Sequence, residues 1–187
     1  MDDPFDFPAL RVQQPGKLLP DRARYEIFDH QHVLVAIATE TEAHTRMKLL
    51  AKEMPDARVL AVTTAASEPL LTLVKHTRER ITELHGPEGE LLGRVRTGGT
   101  NRNYSLLDGQ GQTVGKAVGD LALKHFAIIG PDGSEFARVR KTWAGVKEML
   151  TPSDHYKVEF IAPAVPSART LTVMLAIVLD LTSYGPV

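Results

Sequence analysis

Side chains able to carry chemistry are few and mostly isolated. Seven histidines are scattered through the 187 residues, and only His30 and His32 stand close enough to share one side of an extended segment. A zinc ion needs three or four converging ligands, and no carboxylate or further histidine sits at supporting spacing. The pair therefore reads as turn polarity. The glycine clusters Gly86/Gly89, Gly98-Gly99 and Gly109/Gly111 open no helix and lack the Lys-Ser/Thr that completes a phosphate loop. There is no Gly-x-Ser-x-Gly elbow, no His-Glu-x-x-His and no carboxylate pair in a shared apolar setting. Zero cysteines exclude a disulfide framework, thiolate metal sites, a cysteine nucleophile and thioester-linked lipid. These residues predict a non-enzymatic chain with no cofactor.

What remains is charge. The chain as a whole is nearly neutral, at a formal −1, which excludes a generally basic nucleic-acid coat. The distribution is uneven, however. Glu26 to Glu90 holds seven Lys/Arg against eleven Asp/Glu, whereas Arg94 to Lys147 holds nine against four. The second stretch contains Arg94, Arg96, Lys116, Arg138, Arg140 and Lys141, the candidate anion-binding set. Two readings stand: a solvated exterior, or contact with an anionic leaflet, worth about 1 kcal/mol per basic residue near the surface. Nucleic acid is not expected, because no aromatic side chains interleave the basic ones for base stacking.

The elements that must position this set follow from a repeat. A shift of 22 residues carries Gly89 to Gly111 and on to Gly133, Leu84 to Leu106 and Ile128, and Gly93 to Gly115 and Ala137. It also carries Arg94 to Lys116 and Arg138, and Val95 to Ala117 and Val139. Tyr25–Phe28 and Val33–Ala38 form an earlier, off-period copy. Each unit reads as strand, glycine-containing turn, strand, and such a unit is too short for a crossover helix, so neighbouring strands must run antiparallel. Ten to twelve strands fit between residues 21 and 161, and a sheet that wide closes to remove its edges. Alternation puts the small residues Gly93, Val95, Gly115, Ala117, Ala137 and Val139 on one face and the basic residues of the second strands on the other.

The small face needs something bulky against it. Leu171–Leu181 is apolar all round, as a helix in the middle of a fold must be. Its eleven residues would cover roughly 16 Å, about half of a bilayer's hydrocarbon core, and Asp180 adds a cost in lipid. The expected fold is therefore mainly β: an antiparallel closed barrel of about twelve strands around a buried C-terminal helix at about 167–182. Residues 1–20, with Pro4, Pro8, Pro15-Gly16 and Pro20, read as a flexible arm, the alternative being strand pairing through Phe5, Phe7 and Leu10. Residues 42–54 fit a short helix ended by Pro55. Trp143, the sole tryptophan, reads as a buried corner residue, or else as an interface anchor. An acidic, proline-bearing start is no export signal, so the expected location is cytoplasmic, peripheral at the inner face of the membrane if lipid is met at all.

In order along the chain, Tyr25-Glu-Ile27, Ala38-Thr-Glu40, Thr45-Arg46, Leu71-Thr-Leu73 and Lys141-x-Trp143-x-Gly145-x-x-Glu148-x-x-Thr151-x-x-Asp154 resemble the phospholipid scramblase family, within the Tubby-like and LURP-one-related group. Phe160 and Ala176-Ile-x-x-Asp180 continue the match. The resemblance implies a twelve-stranded Tubby-like barrel around its C-terminal helix over residues 21–187. It also implies a lipid-associated role: ATP-independent phospholipid movement or binding of membrane lipid. Two departures bear on it. Where the family's calcium loop carries two Asp residues, this chain has Pro152 and only Asp154, short of the six to eight oxygens Ca²⁺ takes. The acyl-bearing cysteines are absent as well, so membrane contact would be peripheral and reversible. The expected partner is an anionic phospholipid surface or, in the alternative of a purely structural barrel module, another protein.

Overall fold

The computed structural model describes residues 4–15, 23–41, 57–76, 78–142 and 155–183. Within them the chain forms twelve antiparallel strands closed into a barrel. The first five are β1 (Ala9–Gln13), β2 (Arg24–Asp29), β3 (Leu34–Glu40), β4 (Ala57–Thr64) and β5 (Pro69–His76). Next come β6 (Ile81–His85), β7 (Leu91–Thr97), β8 (Asn103–Asp108) and β9 (Thr113–Gly119). The last three are β10 (His125–Ile129), β11 (Glu135–Thr142) and β12 (His155–Phe160), followed by the helix α1 (Pro166–Ser183). Each strand pairs with its neighbours in sequence, and β1 pairs with both β2 and β12.

The repeat has a structural counterpart. Leu84, Leu106 and Ile128 are all fully buried, and the pairing register slips immediately after each of them. Ile27, their counterpart in the off-period hairpin, shows the same slip. In the 22-residue units the turn then needs a residue at positive φ, met by Gly89, Gly111 and Gly133 at +87°, +81° and +82°. This is the three-residue turn with a bulge that matches the twist of a hairpin.

The small face points inward as alternation requires: Gly93, Val95, Gly115, Ala117, Ala137 and Val139 are buried. Every residue of α1 from Leu171 to Leu181 is buried too. The helix is the barrel's content. Gly93 shows how tight the fit is, since a Cβ there would lie 2.5 Å from the Leu107 carbonyl oxygen and 3.2 Å from both Leu171 methyls. Among the described residues no helix is long and apolar enough to cross a membrane.

One expectation is corrected. Within the arm assigned to residues 1–20, Ala9–Gln13 is the strand that closes the barrel, with Leu10 and Val12 buried. Pro4 and Pro8 precede the strand and so remove no ladder donor from it. The Pro8 carbonyl accepts the Phe160 N–H, and Phe5 is 1% exposed. Arg169, in the first turn of α1, fastens this segment by donating to the carbonyls of Phe5 and Phe7 at 3.0 and 2.7 Å while its guanidinium lies 3.9 Å above the Phe160 ring. The short helix expected at 42–54 lies outside the described residues, as do Trp143 and Asp154.

Because strands alternate in direction, the barrel has two distinct ends. The tight turns β2–β3, β4–β5, β6–β7, β8–β9 and β10–β11 gather where α1 begins. The other connections, including β5–β6, β7–β8 and β9–β10, gather where α1 finishes.

Candidate functional site

At the finishing end of α1 several polar groups meet inside the barrel. The Tyr25 hydroxyl donates to the Asp180 carboxylate at 2.6 Å, with both side chains buried. Burial first, then the charge of Asp180, drives the phenol's pKa far above its ordinary value. Glu40, 3% exposed, accepts two bonds from Arg58 at 2.8 and 3.1 Å and one from the Ala23 N–H. Lys75 donates to the Leu181 carbonyl and the Thr182 hydroxyl, capping the last turn of α1 where a cation meets the negative end of the helix dipole. Desolvation, with Arg58 nearby, lowers its pKa to about 8. These contacts anchor the plug.

The predicted basic set divides into three groups. Arg94, Arg138 and Arg140 do face outward, but carboxylates on adjacent strands or on their own strand engage them. Arg94 donates to Glu83 at 2.9 Å, Arg138 to Glu135 at 2.5 Å, and Arg140 lies 2.7 Å from Glu159. Glu159 is shared with Lys157 at 2.6 Å. Its carboxyl sits below its ordinary pKa, first through the Lys157 hydrogen bond, which outweighs the opposing effect of burial, with the charges of Lys157, Arg140 and Arg138 adding to it. Glu83 is depressed likewise, by Arg94 first. A shallow depression over β10 and β11, lined by His125, Ala127, Glu135, Arg138 and Arg140, is the outward face of this paired network.

Arg96 and Lys116 form the second group. Ser105 on β8 stands opposite both, so the two cations flank it in one cross-strand row. Both are exposed, and among the described residues neither has an acidic partner.

Lys141 is the third case, and it is a correction. Alternation on β11 puts it on the same side as Val139, and its ammonium lies 5.7 Å from the centre of the buried Tyr156 ring. It belongs to the inner rim at the finishing end, not to the outer stripe. The structure thus places Arg96 and Lys116 in the open, pairs three of the six with carboxylates and turns the last inward.

The sequence reading missed Arg80, Arg102 and Lys124. They sit in three separate regions of sequence, and only the strand order brings their loops to one end. Arg80 donates to the carbonyls of Gly98 and Gly99, while Arg102 accepts the Gly119 N–H on its carbonyl.

Comparison with known proteins supports this architecture. No curated protein matches the chain. A protein of Arabidopsis thaliana known from an X-ray structure is similar in fold, with 15% identity and a TM-score of 0.56 over 97% of this chain and 96% of that one. The family model described as Scramblase matches residues 21–185, which take in β2 to β12 and the whole of α1. By that match the chain belongs to the Scramblase family.

Proposed function

We propose that this barrel is a non-enzymatic, lipid-associated protein that meets anionic phospholipid peripherally, on the cytoplasmic side of a membrane. The observation that carries the reading is the open pair Arg96 and Lys116, exposed and without an acidic partner among the described residues. Each basic residue at an anionic surface contributes about 1 kcal/mol. Calcium is not part of the reading, because Asp154 supplies a single carboxylate. Contact is favoured over transport of lipid: α1, the most apolar segment, is committed to the core, and apolar side chains do not form a continuous outer belt among the described residues.

The chain is expected to co-sediment with phosphatidylserine-containing vesicles at low salt and to be released as salt screens the contact. Arg96→Glu with Lys116→Glu should weaken binding about tenfold or more. Arg138→Glu with Arg140→Glu is the poorer probe, since it sets acid against Glu135 and Glu159. Binding indifferent to both salt and the Arg96/Lys116 reversal would remove the reading and favour a protein-interaction module. Phospholipid movement is tested separately, in liposomes with labelled lipid, where the protein-free rate is expected.

A further inference from the structure

Among the described residues, the connections at the two ends of the barrel carry opposite charge. At the end where α1 begins, the described connections hold Asp6, Glu68, Glu88, Glu90 and Asp132 and no lysine or arginine. At the end where it finishes, they hold Arg78, Arg80, Arg102 and Lys124 against Glu79 and Asp120. Lys75 and Lys141 add to the rim of that same end. The described connections, scattered through the sequence, sort by sign according to which end they reach.

The basic end also bears Leu121, the most exposed large apolar side chain among the described residues, whereas Val33, Ile161 and Val165 at the other end are exposed without cations in their connections. The β9–β10 connection reads Asp120-Leu121-Ala-Leu123-Lys124, and Leu121 is 87% exposed. Leu123 is 38% exposed, and Val118, on the outer face of β9, is 43% exposed. The loop is held rather than loose. The Asp120 side chain accepts the Lys124 N–H at 2.8 Å and bonds the His125 ring at 2.9 Å, and the Leu123 N–H reaches the Asp120 carbonyl. The third turn position, glycine in the 22-residue hairpins, is here Leu123 at φ +56°, a conformation disfavoured for a branched side chain. A costly leucine thus occupies a place where glycine would relax the turn. Cations flank the tip on both sides. Arg102 bonds the backbone of Gly119 with its carbonyl and its guanidinium, and Lys124 accepts the Lys141 N–H.

An apolar tip ringed by cations complements one surface chemistry in particular: phosphate outside, hydrocarbon immediately beneath. We infer that the barrel docks end-on to an anionic leaflet, inserting Leu121 and Leu123 at the headgroup–acyl boundary while Arg102, Lys124 and Arg80 engage phosphate. This rests on the peripheral-lipid reading above and adds to it the orientation and the inserted residues. The acidic end, repelled by the same leaflet, faces away, and Arg96, one residue before the end of β7, lies on the flank nearest the lipid.

The test uses the absence of native cysteine. Leu121→Cys and, at the opposite end, Glu88→Cys are each labelled with an environment-sensitive fluorophore and titrated with phosphatidylcholine vesicles with and without phosphatidylserine. The Leu121 probe is expected to shift to the blue only with phosphatidylserine and to be quenched by nitroxides on the acyl chains, with the Glu88 probe unchanged. In unlabelled protein, Leu121→Ser with Leu123→Gly should lower vesicle affinity about tenfold without lowering thermal stability. If the chain sediments with vesicles while the Leu121 probe stays in water, or the double variant binds as before, end-on insertion is overturned and the lipid reading survives. If the unmodified chain does not sediment at low salt, both fall together.

Discussion

Replacing Ile177 with aspartate leaves no folded barrel. Ile177 is fully buried on α1, in a run where every residue from Leu171 to Leu181 is buried. The change forfeits about 1.5–3 kcal/mol of apolar burial and places a carboxylate in a dry core already holding Asp180, at a further cost of several kcal/mol. The total rivals the whole stability of an ordinary domain. Urea unfolding followed by circular dichroism checks it: the variant is expected without a cooperative transition. Val165→Asp, just before the helix at a position 57% exposed, should melt like the parent. Were α1 docked outside the sheet, Ile177→Asp would leave the strand signal and its transition in place.

Gly93→Ala is expected to cost about 2–3 kcal/mol, in the range of overpacked cores. Two effects oppose each other. Alanine restricts the unfolded chain and so favours the fold by about 0.4–1 kcal/mol. Against this, the new Cβ would stand 2.5 Å from the Leu107 carbonyl oxygen, which belongs to the β8 backbone, and 3.2 Å from the Leu171 methyls of the helix. Neither β8 nor the plug can yield without loosening the other, so the clash prevails. Gly115→Ala is the control: its Cβ would meet Phe136 and Leu106 side chains at 3.3–3.4 Å, contacts that a small shift accommodates. Chemical denaturation of the two variants should separate them clearly, and equal losses would mean that the barrel wall is not pressed against α1 at Gly93.

The contrast between these glycines shows what sequence could and could not reveal. Hairpins were legible because a strand, its turn and its partner are local, and the 22-residue shift repeats inward residue, bulge and turn glycine together. The plug was legible because an all-apolar helix and a small-residue face each lack a partner alone. Closure through β1 was legible only as the alternative of strand pairing through Phe5, Phe7 and Leu10: Ala9–Gln13 is paired to β12 from the far end of the chain, and its prolines favoured an arm.

The basic site was legible in composition and misplaced in detail. Arg94, Arg138 and Arg140 recur in equivalent slots, yet whether a cation is free depends on acids such as Glu83 and Glu159, fixed by register across strands. Lys141 was grouped with its neighbour Arg140, although alternation after Val139 turns it inward. The charge separation between the ends was hidden for a related reason, since it emerges only when every second connection is placed at the same end.

The most direct measurement asks where α1 resides when lipid is present. With no native cysteine, Ala176→Cys reports from the fully buried middle of the helix and Leu121→Cys from an exposed loop. Maleimide reactivity is measured with and without phosphatidylserine vesicles. A helix kept inside the barrel predicts that position 176 stays unreactive under native conditions in both cases and that a probe built in there is untouched by acyl-chain quenchers. Rapid labelling of position 176 in water, or quenching from within the bilayer, would contradict the account.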